Sequence, residues 1–506
     1  TMTMTATQYH NRSSYDRFNL SPHYLDWNNQ PNVFKDYPGS KITVLPKNVQ
    51  LPGKKLSSVL RRGQRPVSPH HLDKGDISGI FLLSHTFTAK TRHADGDFYF
   101  RSVASAGALY PTEMYMTAQG VHGIENGLYH FAIHHHALVP LRQGDFSTFI
   151  IGNAPHEKND TPMLTFSLTA IFFRSAWKYR ERAYRYHLLD TGHLAENVCL
   201  ALKALKLPFR LDYDFDDEKI NHLLGVDDHR EAALALIQVP YFEKKTTDSA
   251  LNIDPLPPEF RGASRVSEKE IDYPVIREMH QAGAFTKRVT EYGTEMIQEL
   301  GVQVGQWTKT TPPEIWPGMR SYTDAVLYRR SRRNFTKSPM DRDNMEALLE
   351  SLCIGDAPTS YKTRGYEGAV CVGFLIGAVE EMTPGFYLLD TAGETYGLVK
   401  EGFFMDKMAR ICLDQLWLAH TAVHFLFLSN LEVLEHHLGQ RGYRYAMLHA
   451  GRLGERLYIT ASSMGLGCCG IGALYDREAV ELLGLNGASR LLYLVAAGPV
   501  KKEILQ

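Results

Sequence analysis

Arg182-Ala-Tyr-Arg-Tyr186 recurs as Arg441-Gly-Tyr-Arg-Tyr445, 259 residues further along the chain. The register holds on the C-terminal side: Gly192 matches Gly451, Leu194 matches Leu453, Glu196 matches Glu455, and Leu223-Leu-Gly225 matches Leu482-Leu-Gly484. Upstream, Gly127-Leu-Tyr129 answers Gly385-Phe-Tyr387 at an offset of 258, and Arg61-Arg-Gly-Gln-Arg65 answers Arg329-Arg-Ser-Arg-Arg333 at 268. The second copy therefore lacks about ten residues between these landmarks. So long a period lies far outside the roughly 20 to 50 residues of solenoid repeats. It describes two fused domains.

Length and composition agree. At 506 residues the chain accommodates two copies of about 200 residues with connecting segments. Hydrophobic residues make up 44%, enough for each copy to bury a core. The 55 basic and 56 acidic residues leave a net charge of −1, so nothing favours a nucleic acid or an anionic membrane as partner. Six cysteines without a CxxC pair form neither a disulfide framework nor a zinc site. With no run of about 18 apolar residues and no basic-then-apolar leader, the expectation is a soluble cytoplasmic protein.

Residues 1–55, dense in Pro, Asn and Tyr, form an extension expected to wrap over a domain surface. The copies are assigned to 56–242 and 321–506, joined by a linker, 243–320, in which Tyr273 to Gly301 reads as helical. In each copy an apolar strand, Leu164 to Phe173 or Val423 to Leu428, precedes a long helix, His187 to Leu205 or Tyr445 to Met464. Both helices carry apolar residues around most of their circumference, which implies burial on several sides. The fold class is α+β, used twice.

Four stretches have the composition of a binding site. Ser321-Tyr-Thr-Asp-Ala-Val-Leu-Tyr328 reads as a capped helix delivering Arg329, Arg330, Ser331, Arg332 and Arg333. Several guanidinium forks and a hydroxyl suit a phosphate, although a basic helix end also complements the helix dipole. In Ser105-Ala-Gly-Ala-Leu-Tyr-Pro111, small residues let the backbone approach a flat ligand, unless the string is simply a turn into strand Glu113 to Ala118. Copy two has Pro358-Thr-Ser-Tyr-Lys-Thr there instead. Gly465-Leu-Gly467-Cys-Cys-Gly470-Ile-Gly472 follows a helix rather than a strand, so it is not a dinucleotide fingerprint. It remains a close-approach segment, and copy one has Leu207-Pro-Phe-Arg-Leu-Asp-Tyr213 in its place. Lys178-Tyr179 occurs only in copy one; an apolar or cationic surrounding could lower either pKa and make an acid or base of it. His134-His135-His136 reads as an exposed hairpin turn rather than a metal site.

Taken together, Arg61-Arg62-x-x-Arg65, Ser105-Ala-Gly-Ala-Leu-Tyr-Pro-Thr-Glu113, Gly127-Leu-Tyr-His130, Lys178-Tyr179, Arg182 to Tyr186, Gly192-His193 and the second-copy glycines resemble the nitroreductase-like flavoprotein superfamily. Within it they are similar to the SagB/ThcOx-type azoline dehydrogenases of thiazole and oxazole peptide biosynthesis. Members usually dimerise and hold FMN at the interface. The resemblance implies that Arg329, Arg330, Ser331 and Arg333, with Gly465, Leu466, Gly467 and Gly470, face the phosphate and ribityl chain. It implies that Ser105, Ala106, Gly107 and Leu109 face the ring, and that Lys178 and Tyr179 serve as acid/base. The chain would then be an intrachain pseudo-dimer with one composite FMN site, acting on a small-molecule or peptide-derived substrate. An NAD(P)H-dependent nitro or quinone reductase, and a non-catalytic flavin-binding scaffold, are the alternatives.

Overall fold

The computed structural model describes residues 3–61, 71–154, 161–241, 252–284, 295–318, 320–356 and 366–502. Its two seven-stranded sheets have the same topology. The first runs Thr43–Val44, Ala137–Gln143, Gly127–Ala132, Thr112–Ala118, Pro162–Ile171, Glu231–Pro240, Arg210–Asp212. The second runs Trp307–Lys309, Thr395–Glu401, Gly385–Asp390, Cys371–Ile376, Val423–Asn430, Ser489–Gly498, Gly467–Ile471. Every neighbouring pair is antiparallel. The first strand of each sheet comes from the stretch ahead of the repeated segment.

Between the sheets lie two long helices, Ala183–Ala204 and Gly442–Ser463, of 22 residues each and buried along their whole length. They cross where the repeat places a glycine. A Cβ on Gly192 would run into the carbonyl oxygen of Leu448, and one on Gly451 into that of Leu189. Absent side chains let the two backbones touch.

The Arg-x-Tyr-Arg motif at the start of each helix clasps the opposite copy. Arg182 and Arg185 bind Asp476 at 2.8 and 2.7 Å, while Arg441 and Arg444 bind Asp217 at 3.1 and 2.9 Å. Each aspartate opens a short helix, Asp476–Leu483 or Asp217–Leu224, where negative charge is favoured. Burial alone would raise both carboxyls, yet the paired guanidiniums hold them well below the usual range. The N-terminal arm joins the first clasp through the Ser13 carbonyl, which accepts from Arg182 at 3.0 Å.

Several elements differ from expectation. The strand expected to reach Phe173 ends at Ile171, and Phe172–Tyr179 is a helix; the apolar run continues because both elements are buried, and periodicity cannot separate them. Among the described residues, helix within Tyr273 to Gly301 comprises Pro274–Ala282, which stops at Gly283, and a single turn at Met296–Gln298; residues 285–294 lie outside them. The histidine turn is exposed only in part, at His135. His136 is buried against Ser78 Oγ at 2.8 Å, and His134 meets Asp36 of the N-terminal arm at 3.0 Å. No helix among the described residues is long and apolar enough to cross a membrane.

Gly451→Ala should destabilise the protein by roughly 1–3 kcal/mol through overpacking at the helix crossing. Gly487→Ala, at a position with open space around it, should change stability by less than about 0.5 kcal/mol. Urea unfolding of both variants checks this; equal midpoints would contradict the backbone contact.

Candidate functional site

The loop after strand Gly96–Arg101 is held by one carboxylate. Ser105 Oγ donates to Asp190 at 2.6 Å and the Ala106 N–H donates to it at 3.2 Å, while the Tyr110 N–H donates back to Ser105 Oγ at 3.0 Å. Asp190 lies on the first central helix, where burial pushes its carboxyl up to about 6. Gly107, Ala108 and Tyr110 all have positive φ, at 65°, 53° and 47°, a concentration of left-handed backbone characteristic of functional loops. A Cβ on Gly107 would stand 2.8 Å from the Tyr179 hydroxyl and 3.3 Å from Lys178 Nζ. The glycine thus brings Lys178 and Tyr179 against the Ser105–Leu109 loop. Burial pushes the Lys178 ammonium down, as expected, but pushes the Tyr179 phenol up. Of the pair only Lys178 is lowered: for Tyr179, desolvation outweighs the nearby cations, although Lys178 Nζ stands 5.4 Å over its ring, and Tyr186 lies 4.5 Å away, centroid to centroid.

The arginine segment comes from the other copy. Ser321 Oγ caps helix Tyr322–Tyr328 by accepting from the Asp324 N–H, and the chain then becomes extended at Arg329. The segment is solvated only in part, with Ser331 and Arg333 exposed. Arg329 is buried; its Nε donates to the Ser102 carbonyl at 2.8 Å and its Nη2 to that of Arg101 at 3.1 Å. Arg330 turns to the Thr88 hydroxyl and carbonyl, at 3.0 and 2.5 Å. Ser331 Oγ meets the Tyr458 hydroxyl at 2.9 Å, and the same hydroxyl accepts from the Gly470 N–H at 2.6 Å. Arg333 stands 5.9 Å over the Trp417 ring.

The glycine run forms edge strand Gly467–Ile471 behind this segment, entered through Gly465 in left-handed conformation with Leu466 half-buried. The Arg332 N–H donates to the Cys468 carbonyl at 3.0 Å. A Cβ on Gly467 would press on Phe335 and Arg332, and one on Gly470 would collide with the Tyr493 hydroxyl. That hydroxyl bonds His193 Nε2 at 3.0 Å, and His193 Nδ1 meets Glu455 at 3.0 Å. Glu455 in turn accepts from the Ala104 N–H at 3.5 Å, closing the circuit to the Ser105 loop. Asp190, His193, Glu455, Tyr458 and Tyr493 were not singled out as site residues from sequence. The available signal was His193, whose counterpart 259 residues on is Arg452.

That exchange distinguishes the pseudo-symmetric face. Glu196, counterpart of Glu455, takes Arg452 and Arg456 at 3.0 and 2.9 Å, and Arg452 also binds Asp356 at 3.0 Å. Tyr213, counterpart of Gly472, packs on Tyr366 and Tyr445 with ring centroids 4.5 and 6.2 Å away. Arg61, counterpart of Arg329, is committed to Glu350 at 2.8 Å and to the Pro313 carbonyl at 2.9 Å. Arg62, Arg65 and residues 358–363 lie outside the described residues. Protein side chains fill this face.

On the first face the donor set fits an anionic, ring-bearing cofactor. Among the described residues Arg329 Nη1 is buried without a hydrogen-bond partner, which an anion would satisfy. Ser331 and the glycine strand stand beside it, and the Ser105 loop offers a surface of small residues.

A family model described as the nitroreductase family matches residues 61–239 and 394–499, more than half of the chain. The trifolitoxin-processing protein TfxB of Rhizobium leguminosarum bv. trifolii is 31% identical over 170 residues, 32% of this chain and 46% of that protein. The microcin B17-processing protein McbC of Escherichia coli is 25% identical over 157 residues, 30% of this chain and 57% of that protein. The matches thus span only about half of each relative. A crystal structure of a nitroreductase-type protein from Anabaena variabilis superposes with a TM-score of 0.77 at 23% identity, over 98% of this chain and 99% of that one. With the topology of one sheet repeated in the other, the chain belongs to the nitroreductase family and carries that fold twice in one polypeptide.

Proposed function

We propose that the chain is an FMN-dependent oxidoreductase with one composite site, acting as a dehydrogenase on an azoline-like or otherwise peptide-derived substrate. The observation that carries this is the junction at the Ser105 loop, whose base is gripped by Arg329 of one copy and whose tip meets Lys178 and Tyr179 of the other. Arg329, Ser331 and Arg333, with Gly465 to Gly470, would hold the phosphate and ribityl side; Ser105, Ala106, Gly107 and Leu109 would face the ring. Arg330 would support them from its seat on Thr88. When bound, FMN supplies two-electron redox chemistry.

The chain's own residues supply proton handling. Lys178, with its pKa lowered by burial, is the base that accepts a proton from substrate carbon. Tyr179 stays protonated and offers its hydroxyl as a donor. His193 and Glu455 hold Tyr493 against Gly470, which positions the glycine strand. The names of the two relatives, processing proteins for trifolitoxin and microcin B17, support a peptide-derived substrate. The six free cysteines favour a reducing compartment such as the cytoplasm.

Denaturation should release one FMN per chain, and Arg333→Ala should weaken FMN retention by about tenfold or more while Arg61→Ala leaves it unchanged. Equal losses in the two variants, or two FMN per chain, would contradict a single composite site. Lys178→Ala should retain FMN yet slow flavin reduction by substrate roughly 10²- to 10⁴-fold in stopped flow; unchanged rates would remove Lys178 from the reaction. Asp190 has a folded-state pKa of about 6, above the roughly 3.9 of an unfolded aspartate. The native state therefore binds more protons than the unfolded state within that window, and stability falls as pH rises through it. Thermal melting of Asp190→Asn beside the parent should remove this slope between about pH 4 and 6; parallel curves would exclude Asp190 as its origin.

A further inference from the structure

The N-terminal arm passes over helix Phe172–Tyr179 and is pinned there through its backbone. Trp177 Nε1 donates to the Asp26 carbonyl at 3.0 Å, Arg174 Nε to that of Asn32 at 2.8 Å, and Arg101 Nη2 to that of Val33 at 2.8 Å. Between the arm and the Gly107 loop lies a cleft of about 130 Å³. Its volume is on the order of the ~150 Å³ cavity that holds one benzene molecule. Trp27, Phe98 and Trp177 supply aromatic walls, while Arg174 and Lys178 supply cationic groups.

The charge around this cleft is unbalanced. Arg101 and Arg174 are each 1% exposed, and the carboxylate shared between them is Glu113, which binds Arg174 at 2.8 Å and His130 at 2.9 Å. Arg101 Nε and Nη1 and Arg174 Nη2 are buried without a hydrogen-bond partner among the described residues. Burial pushes the Arg101 guanidinium down to about 10, with Glu113 only partly offsetting the desolvation. Buried N–H groups and surplus positive charge are costly until an anion meets them.

We infer that this cleft is a subsite for an aromatic carboxylate, with the ring among Trp27, Phe98 and Trp177 and the carboxylate on Arg174. The inference rests on the redox reading of the neighbouring Lys178 and gives that site a substrate class: an aromatic acid, or a peptide-derived group presenting one. The arm supplies the wall that discriminates the ring, and Arg174 reads the charge.

Calorimetric titration of the FMN-loaded full chain with benzoate and with benzamide tests it, since the two share a ring and differ in charge. Benzoate should bind about tenfold or more tightly than benzamide. Arg174→Gln, shown folded by its circular dichroism, should bring the ratio near one. Trp27→Ala should weaken both ligands by a similar factor and keep the ratio, which leaves a decisive result even where loss of Arg174 prevents folding. Equal binding of the two ligands, a preference that survives in folded Arg174→Gln, or displacement of FMN by benzoate would overturn the subsite. The titration does not depend on turnover: selective benzoate binding by a chain whose FMN no substrate reduces would refute the redox reading alone.

Discussion

The architecture depends on backbone contact between two helices at Gly192 and Gly451. Each of these helices is buried along its whole length, so neither copy of the fold could leave its own helix in water without exposing most of that surface. The crossing joins two domains into one core, and the Arg-x-Tyr-Arg clasps onto Asp476 and Asp217 fix its orientation. Removing one partner of such buried pairs would strand an uncompensated charge, so the clasps specify geometry more than they add net stability.

Around this pseudo-twofold the two faces have diverged. On one, His193 bridges Glu455 and Tyr493 beside a glycine strand, and Arg329 keeps a buried N–H without a partner among the described residues. On the other, the equivalent places hold Arg452 against Glu196 and three tyrosine rings. Glu455 is thus paired through an imidazole on one face and its counterpart Glu196 through two guanidiniums on the other. A fused pair can change one interface residue without changing its twin, which a symmetric homodimer cannot do. The N-terminal arm adds to this asymmetry, because its residues 21–33 bond to the helix that carries Lys178.

Much of the fold was legible because it rests on local patterning. The long helices and the central strands follow from apolar periodicity, and the helices' observed limits, Ala183–Ala204 and Gly442–Ser463, lie within about four residues of expectation. The strand-to-helix change at Phe172 and the burial of His136 were not legible, since each depends on what packs above it. Of the candidate site, the small-residue loop and the arginine segment stood out by composition. Glu455 and His193 did not, because a carboxylate and an imidazole on a buried helix acquire meaning only from their partners across the interface.

By itself the sequence determined that the chain holds one fold twice, and which copy lost which stretch, because an internal repeat is a comparison of residues in register and needs no coordinates. Only the tertiary structure decided what the repeated arginines do, that Arg329 reaches the Ser105 loop of the opposite copy, and that Tyr179 is raised rather than lowered. Those outcomes depend on burial and on distances between residues far apart in the chain, quantities set by the packing of whole elements rather than by any stretch of sequence.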